Sequence, residues 1–298
     1  MSSSIKSRFL PALLAAFSGI ALAQFPKDKI FAADAAPSDG FGYSVSISGD
    51  YAIVGAWSDD DGGYNSGSAY IFKRDGTDWN QEDKIVATDA AASDKFGNSV
   101  AISGDYAIVG ARGVADGGYL SGAAYIFKRD GTSWDQEDKI VATDPAANDL
   151  FGWSVSIDGN YAVVGARGDD DGGSASGSAY IFKRDGTSWD QEDKITAEDA
   201  AADDYFGRFV SIDGDYAIVS AYLEGVGGSA YIFKRDGTDW SQEDKITAED
   251  AANSDDFGYS VSISGDYAIV GAYHDNDGGT SSGSAYIFKR DGTDWNQE

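Results

Sequence analysis

FGYSVSISGDYAIVGA, the stretch Phe41–Ala56, decides the fold because the chain repeats it four more times with small changes. The copies begin at Phe96, Phe151, Phe206 and Phe257, so the first three steps are 55 residues long and the last is 51. A period in this range is typical of propellers and solenoids, in which one repeat cannot bury its apolar face alone. The repetition therefore predicts a ring or stack of units whose function resides in their loops.

Each repeat contains four short apolar segments separated by turn residues, as the first repeat illustrates. Val45 and Ile47 alternate with serines, as in a half-buried strand, and Tyr51–Ala56 is a continuous apolar run. The third and fourth segments are Ser68–Lys73 and Trp79–Ala87. Four strands per repeat without helical periodicity predict an all-β protein, a β-propeller of four-stranded antiparallel blades. A β-solenoid or a sandwich array is the alternative.

The two ends of the chain predict how the ring closes. Asp28-Lys29-Ile30 repeats the text that recurs in every fourth strand, and Trp295–Glu298 stops just before that text would come again. We therefore expect the N-terminal strand, residues 25–33, to complete the last blade and close a ring of five blades, which removes two exposed strand edges. The alternative is an incomplete part of a larger ring, for example one of seven blades.

The first 23 residues have the pattern of a secretory signal peptide. Lys6 and Arg8 precede an apolar run that ends in the small-residue pattern Ala21-Leu22-Ala23. We therefore expect residues 24–298 to form the mature propeller, secreted and extracellular or at the cell surface, with the periplasm as the alternative. No other segment is apolar over enough residues to cross a bilayer, so no membrane insertion is expected.

The composition restricts the partners. The chain has 22 Lys and Arg residues against 50 Asp and Glu residues, a formal net charge of −28. Such a surface repels nucleic acids and anionic membranes, so we expect no nucleic-acid partner. The chain has no cysteine, so disulfides do not stabilise it and the repeated core must do so.

The repeats resemble FG-GAP repeats, the blades of integrin α-subunit propellers and of many bacterial exported proteins. Every repeat opens with Phe-Gly, and most third strands begin with Gly-Ser-Ala-Tyr. The second strand ends in Val-Gly-Ala at Val54–Ala56, Val109–Ala111, Val164–Ala166 and Val270–Ala272. The resemblance covers nearly all of residues 25–298 and implies a propeller of a kind that serves adhesion, ligand binding or scaffolding.

One departure from that family concerns calcium. Integrin-type blades carry a calcium loop between the Phe-Gly strand and the Gly-Ala strand, but here that connection is only Ser48-Gly49-Asp50 or its equivalent. This connection is too short to surround a cation. Calcium binding therefore cannot be transferred by position and has to be argued from other loops.

An acidic, glycine-containing loop follows the second strand in the first, third and fifth repeats. The aspartates that could converge on a cation are Asp59 and Asp61, Asp169 and Asp171, and Asp275 and Asp277. Two carboxylates with carbonyls and waters would make a weak calcium site, with a Kd of about 10⁻⁴–10⁻³ M. The loops predict up to three such sites. The alternative is a solvated acidic loop without metal, since two carboxylates in water repel by only about 1 kcal/mol.

Two positions vary among the repeats while their surroundings stay nearly constant. The residue after Phe-Gly is Tyr43, Asn98, Trp153, Arg208 or Tyr259, and the residue after the second strand is Trp57, Arg112, Arg167, Tyr222 or Tyr273. The meander topology places both positions side by side at the face that carries the acidic loops. Aromatic and arginine side chains stack on sugars and bind anionic groups. The nine aromatic and arginine residues predict a ligand-binding ring; the alternative is a set of rim residues that are free to vary.

Little in the sequence indicates catalysis. The chain has one histidine, His274, and no nucleophile-elbow pattern. We therefore expect no enzyme but a monomeric, non-catalytic binding or adhesion module for an extracellular glycan or protein, with calcium as its one cofactor. The alternatives are a purely structural or scaffold module of a surface assembly and, as a minor one, a polysaccharide-active enzyme.

Overall fold

Twenty β-strands in five sheets make up residues 29–298, the part of the chain that the computed structural model describes. The blades consist of β1 (Val45–Ser48), β2 (Tyr51–Ala56), β3 (Ser68–Asp75) and β4 (Asp78–Ile85); β5 (Phe96–Ser103), β6 (Tyr106–Ala111), β7 (Ala123–Asp130) and β8 (Ser133–Ile140); β9 (Ser154–Asp158), β10 (Tyr161–Ala166), β11 (Ser178–Asp185) and β12 (Ser188–Ile195); β13 (Val210–Asp213), β14 (Tyr216–Ala221), β15 (Ser229–Asp236) and β16 (Asp239–Ile246); and β17 (Phe257–Ser264), β18 (Tyr267–Ala272), β19 (Ser284–Asp291) and β20 (Asp294–Gln297). Within each sheet the strands follow chain order and neighbours are antiparallel. The prediction of an all-β protein with four-stranded blades is confirmed.

A two-residue turn joins the third and fourth strands of each blade. In the first blade Asp75 pairs with Asp78 around this turn, and the φ angle of Gly76 is 64°, a value that favours glycine. The Arg74 Nε atom donates to Asp50 Oδ1 at 2.8 Å and ties this turn to the turn between β1 and β2. The opposite end of each blade carries the loop after the second strand and the linker to the next blade.

The apolar core lies between successive blades. Ile53 and Ile71 of the first blade pack in one cluster with Val100 of the second, and all three are at most 5% exposed. Three further clusters join the later blades in the same way. The ring centres of Tyr51 and Trp134 lie 5.7 Å apart across the first junction. Full burial of one large apolar side chain contributes about 1.5–3 kcal/mol, so each blade depends on its neighbour for stability.

Two glycines of the repeat meet where neighbouring blades approach most closely. A Cβ atom on Gly55 would lie 2.0 Å from the carbonyl oxygen of Gly97, and one on Gly97 would lie 2.3 Å from that of Ser68. Because no side chain fits there, the packing of the first blade on the second requires both glycines. In the fourth blade Ser220 replaces the first of them, and its hydroxyl accepts a hydrogen bond from the Phe209 N–H at 3.0 Å.

The first and fifth blades leave part of their outer faces open. Val45 and Ile47 of β1 are 66% and 65% exposed, whereas Val100, at the position of Val45 in the second blade, is 5% exposed. Ile269 and Ile287 of the fifth blade are 45% and 48% exposed. The fifth blade therefore does not cover the first, and closure of a five-bladed ring is not confirmed. The larger ring stays an alternative prediction.

The N-terminal segment packs on the first blade. Residues 29–33 form no strand and do not extend the fifth sheet. Ile30 and Ala32 join the apolar cluster of the first blade, and the Ala33 N–H donates to Gln81 Oε1 at 2.9 Å. Later linkers make the same bond to the following blade, so residues 29–33 occupy the position of a linker.

The predicted signal peptide, residues 1–23, and residues 25–28 of the predicted closing strand lie outside the described residues. Within residues 29–298 nothing helical has the length and apolarity needed to span a membrane.

Candidate ligand-binding site

A cavity of about 320 Å³ opens where the first strands of all five blades converge. Its wall includes the residue that follows Phe-Gly in every repeat, namely Tyr43, Asn98, Trp153, Arg208 and Tyr259. A position that differs among the repeats is therefore one that all five blades direct to one shared space.

Three arginines gather around the indole ring of Trp153. The distance from the guanidinium carbon to the ring centre is 3.7 Å for Arg167, 4.3 Å for Arg112 and 5.5 Å for Arg208. Each distance lies within the roughly 6 Å over which a cation attracts an aromatic face, an attraction of about 0.5–2 kcal/mol. The indole therefore offsets part of the repulsion among the three like charges.

Tyrosines extend this arrangement on the side of Arg208. Its guanidinium carbon lies 4.5 Å from the ring centre of Tyr222 and 5.4 Å from that of Tyr259. Tyr259 in turn stacks on Tyr273, with ring centres 4.8 Å apart. His274 contacts the edge of Tyr273 at 4.6 Å between ring centres, so the one histidine lies at the periphery of the cluster.

Tyr43 and Trp57 of the first blade complete the set, with their ring centres 6.0 Å apart. The ammonium of Lys95 lies 5.8 Å from the centre of the Trp57 ring. We call the nine predicted residues the aromatic–arginine ring: Tyr43, Trp57, Arg112, Trp153, Arg167, Arg208, Tyr222, Tyr259 and Tyr273. The structure places all nine around or beside the central cavity. Their role in ligand binding stays a prediction.

Asn98, the variable residue that is neither aromatic nor arginine, supports the ring from below. Its Nδ2 atom donates to the carbonyl oxygens of Gly152 and Trp153 at 3.0 and 3.1 Å, and its Oδ1 atom accepts from the Arg112 N–H at 3.1 Å. The side chain is buried. Asn98 therefore fixes the backbone of Arg112 relative to that of Trp153.

No carboxylate of residues 29–298 forms an ion pair with an arginine of the ring. Within residues 29–298, arginine ion pairs involve Arg74, Arg129, Arg235 and Arg290, all near the hairpin turns at the opposite end of the blades. The Nε atoms of Arg167 and Arg208 are buried and have no hydrogen-bond acceptor. Burial and then the charge of Arg208 lower the pKa of Arg167, but arginine stays protonated at neutral pH.

The loop face therefore has a cationic centre within an acidic rim. The sequence predicts the acidic loops on this face, and the structure adds the arginines at its centre. The net charge of the whole chain does not show this local cluster of arginines.

The acidic loop of the first blade encloses a lysine. The Lys84 ammonium lies 2.6 Å from Asp34, 3.1 Å from Asp59 and 2.5 Å from Asp61. The Tyr70 hydroxyl donates to Asp59 at 2.9 Å, and Asp59 is buried. Burial alone would lower the pKa of Lys84, but its hydrogen bonds to Asp34 and Asp61 outweigh burial and raise that pKa. The ammonium occupies the position expected for a cation.

A lysine at the same position of the fourth strand pairs with acidic residues in the second, third and fourth blades as well. Lys194 bonds Asp144, Asp169 and Asp171 at 2.7, 3.0 and 2.6 Å. In the second blade Lys139 bonds Asp89 and Asp116, and in the fourth Lys245 bonds Asp199 and Glu224. Calcium at Asp59 and Asp61 or at Asp169 and Asp171 stays a prediction, and the ion would have to displace a lysine.

The fifth blade differs because no described lysine pairs with its loop. Asp275 accepts a hydrogen bond from Tyr286 Oη at 2.6 Å and another from the Asp277 N–H at 2.8 Å. The charge of Asp275, followed by that of Asp250, raises the pKa of Asp277. Of the three predicted calcium loops, only this one has repulsion among its aspartates and no ammonium among the described residues.

A family of repeat proteins matches the sequence in five segments, one for each repeat. The FG-GAP repeat profile matches residues 27–72, 79–127, 134–182, 189–233 and 240–288. The chain belongs to the FG-GAP repeat family. No curated protein matches its sequence.

This FG-GAP chain is also similar to a solved structure. The crystal structure of a Lactobacillus plantarum protein, a target of the Northeast Structural Genomics Consortium, superposes with a TM-score of 0.56 at 14% sequence identity. The match covers 86% of this chain and 70% of that chain. At such an identity the likeness shows the fold alone.

Proposed function

We propose that this FG-GAP protein is a secreted, non-catalytic binding module that recognises an acidic glycan at the aromatic–arginine ring. The observation that carries the proposal is the convergence of Arg112, Arg167 and Arg208 on Trp153 without a carboxylate partner. In a chain with 50 acidic residues, three arginines that remain unpaired in one place favour an anion from outside the molecule. Secretion is part of the proposal and rests on the pattern of residues 1–23.

The chemistry of the arginines indicates which anion. Guanidinium groups bind carboxylates and sulfates through two parallel N–H donors, and such charge-assisted bonds are about twice as strong as neutral ones. The Nε atoms of Arg167 and Arg208 have no acceptor in the protein, so no protein oxygen competes with a ligand for these two side chains.

The aromatic residues indicate that the anion is attached to a sugar. Tyr43, Trp57 and Tyr273 are partly or fully exposed beside the cavity, and aromatic faces stack on the apolar faces of sugar rings. The cavity of about 320 Å³ is at the lower end of the range for small-ligand sites. A uronate or sulfated sugar unit combines both features. The acidic rim disfavours highly charged polyanions such as nucleic acid.

A glycan array that contains matched pairs, uronate or sulfated oligosaccharides beside their neutral counterparts, tests this function. We expect retention of the acidic member of a pair, and loss of retention in Trp153→Ala and in Arg167→Gln. The control is Arg129→Gln, because Arg129 pairs with Asp105 at the opposite end of the blade. Equal retention of neutral and acidic glycans, or binding that survives both ring variants, would overturn the proposal. Turnover of a glycan would support the enzyme alternative instead.

A further inference from the structure

The two end blades expose apolar faces that are counterparts of each other. The fifth blade exposes Tyr267, Ile269 and Ile287, at 45–48% each, and the first blade exposes Val45 and Ile47, at 66% and 65%. Contiguous apolar surface of this kind on a soluble protein marks an interaction site.

The junctions inside the molecule show what covers such faces. At the junction between the fourth and fifth blades, Ile218 and Ile232 are fully buried in one cluster with Ile263, which is 4% exposed. Ile269 and Ile287 stand in the fifth blade where Ile218 and Ile232 stand in the fourth, and the sequence Val45–Ser48 is identical to Val261–Ser264. The open face of the fifth blade thus presents the same apolar residues that, in the fourth blade, pack on the first strand of the next blade. It could pack on β1 in the same way.

Polar groups at the two open faces also match. At the first junction the Ile102 and Gly104 N–H groups donate to Ser46 and Ser48 Oγ at 3.2 and 3.3 Å. The fifth blade has serines at both of these positions, Ser262 and Ser264, and the first blade has the N–H groups of Ile47 and Gly49 in place of Ile102 and Gly104. A contact between the two faces would therefore satisfy the free edge of β1.

Charge gives a third correspondence. The fifth blade has Asp250, Asp275 and Asp277 without a described ammonium, where the first blade has Asp34, Asp59 and Asp61 around Lys84. Asp28-Lys29-Ile30 repeats Asp83-Lys84-Ile85, and Lys29 is exposed and forms no ion pair with any other residue of the described range. A blade docked on the fifth one in the internal geometry would bring its own Lys29 to these aspartates.

We propose that the occupant is a second copy of this chain, whose first blade docks on the fifth blade of its neighbour. The contact would reproduce the junction that the first blade forms with the second, with the corresponding apolar pairs, serine acceptors and lysine–aspartate cluster. Such a head-to-tail interface uses two different faces and generates a closed ring of subunits or an open chain. It replaces the expectation of a monomer and is independent of the proposed glycan site.

Sedimentation velocity over about a hundredfold range of protein concentration tests the interface. The purified protein should form dimers and larger species, whereas Ile47→Asp and Ile269→Asp should each be monomeric. A mixture of these two variants should form dimers and nothing larger, because each retains one intact face. The control Tyr119→Asp alters an exposed loop residue of the second blade and should associate like the parent. A parent protein that stays monomeric at every concentration would overturn the proposal.

Cysteine cross-linking separates a second copy from closure within one chain. The chain has no cysteine, so Ile47→Cys with Ile269→Cys supplies the only two thiols. Their internal equivalents, Ile102 and Ile53, share one core cluster. A cross-link between two chains is the expected product. A cross-link within a single chain would show that the ring closes on itself and would overturn the proposal.

Discussion

The guanidinium carbon of Arg167 lies 3.7 Å from the centre of the Trp153 ring, in a blade whose neighbours add Arg112 and Arg208 to the same indole. The three charges come from three consecutive repeats and meet because the same two positions of each blade face the central cavity. Protein surfaces seldom leave such a cluster unpaired without a functional reason, since like charges destabilise the folded state. The cluster therefore has the character of a site in which stability is lost in favour of function.

Removal of one charge from this cluster should stabilise the protein in the absence of ligand. We expect Arg208→Gln to raise the free energy of unfolding by up to about 1 kcal/mol, because it relieves repulsion of Arg112 and Arg167. Thermal unfolding at low salt checks this, and the gain should shrink in 0.5 M NaCl, where the Debye length is only about 4–5 Å. Arg129→Gln is the control and should not stabilise. A lower midpoint for Arg208→Gln at low salt would contradict this prediction.

Loss of the lysine from an acidic loop should destabilise the protein. Lys84→Met leaves Asp34, Asp59 and Asp61 without their ammonium, and removal of one partner of a largely buried ion pair costs about 3 kcal/mol. Urea unfolding measures this change. The control is Lys73→Met, because Lys73 forms a single pair at 3.4 Å with Glu82 and is 44% exposed. An equal effect of the two substitutions would show that the lysine–aspartate cluster has no special role.

The same variant tests the predicted calcium loops. Oxygens of Asp34, Asp59 and Asp61 lie within 4.8 Å of one another, so removal of the lysine leaves a group that calcium could bridge. At ten times its Kd, one bound calcium would add about 1.4 kcal/mol of stability. We expect Lys84→Met to gain more from calcium than the parent does, at fixed ionic strength. Equal calcium shifts in both proteins would show that the lysine and the ion do not compete.

A methyl group at the blade junction should destabilise the protein only where a following blade is present. The Cβ atom of Gly110→Ala would lie 2.1 Å from the Gly152 carbonyl oxygen and 2.2 Å from Ser99 Oγ. In Gly271→Ala the corresponding Cβ meets only Ser260 of its own blade. Thermal unfolding of dilute protein should show a loss of about 1–3 kcal/mol for Gly110→Ala and a much smaller loss for Gly271→Ala. Equal losses would contradict the close approach of the blades.

Asp149 should make stability depend on pH. Burial raises its pKa to about 6 from an ordinary 3.8, although the Ala146 N–H donates to its carboxylate at 2.6 Å. Since the folded state holds this proton more tightly, the contribution of Asp149 to stability is present below about pH 4 and is lost as pH rises through about 6. Asp149→Asn removes the titration but keeps an acceptor for Ala146. Its gain in unfolding temperature over the parent should be larger at pH 7 than at pH 4; a gain that does not change with pH would contradict the raised pKa.

The repeat alone predicted most of the fold. The period, the strand alternation and the turn between Asp75 and Asp78 define each blade locally. The close contact of Gly55 with Gly97 between blades explains why the Phe-Gly and Gly-Ala motifs recur. Ring closure was not predictable in the same way, because the sequence Asp28-Lys29-Ile30 matches the fourth-strand text whether its partner is the last blade of the same chain, a second copy or a further blade.

The site was predicted in part. Comparison among the repeats located the aromatic–arginine ring, because its two positions vary from repeat to repeat. Of the residues at these positions, only Asn98 has a supporting role. The lysines of the acidic loops were missed because Lys84 belongs to a fourth strand, and only the fold brings it to Asp59, 25 residues earlier. The recurrence of a lysine at this position in four repeats, Lys84, Lys139, Lys194 and Lys245, was the signal that could have indicated it.

Isothermal titration of a uronate oligosaccharide and its carboxyl-reduced counterpart tests the glycan site most directly. The parent protein should bind the uronate and bind the reduced sugar at least tenfold more weakly, because one charge-assisted pair contributes about 1.5–3 kcal/mol. The triple variant Arg112→Gln, Arg167→Gln and Arg208→Gln should lose that preference while it keeps the fold, as circular dichroism would show. An identical Kd for the two sugars, or a preference that the triple variant retains, would contradict the assignment of the ring as an anion-binding site.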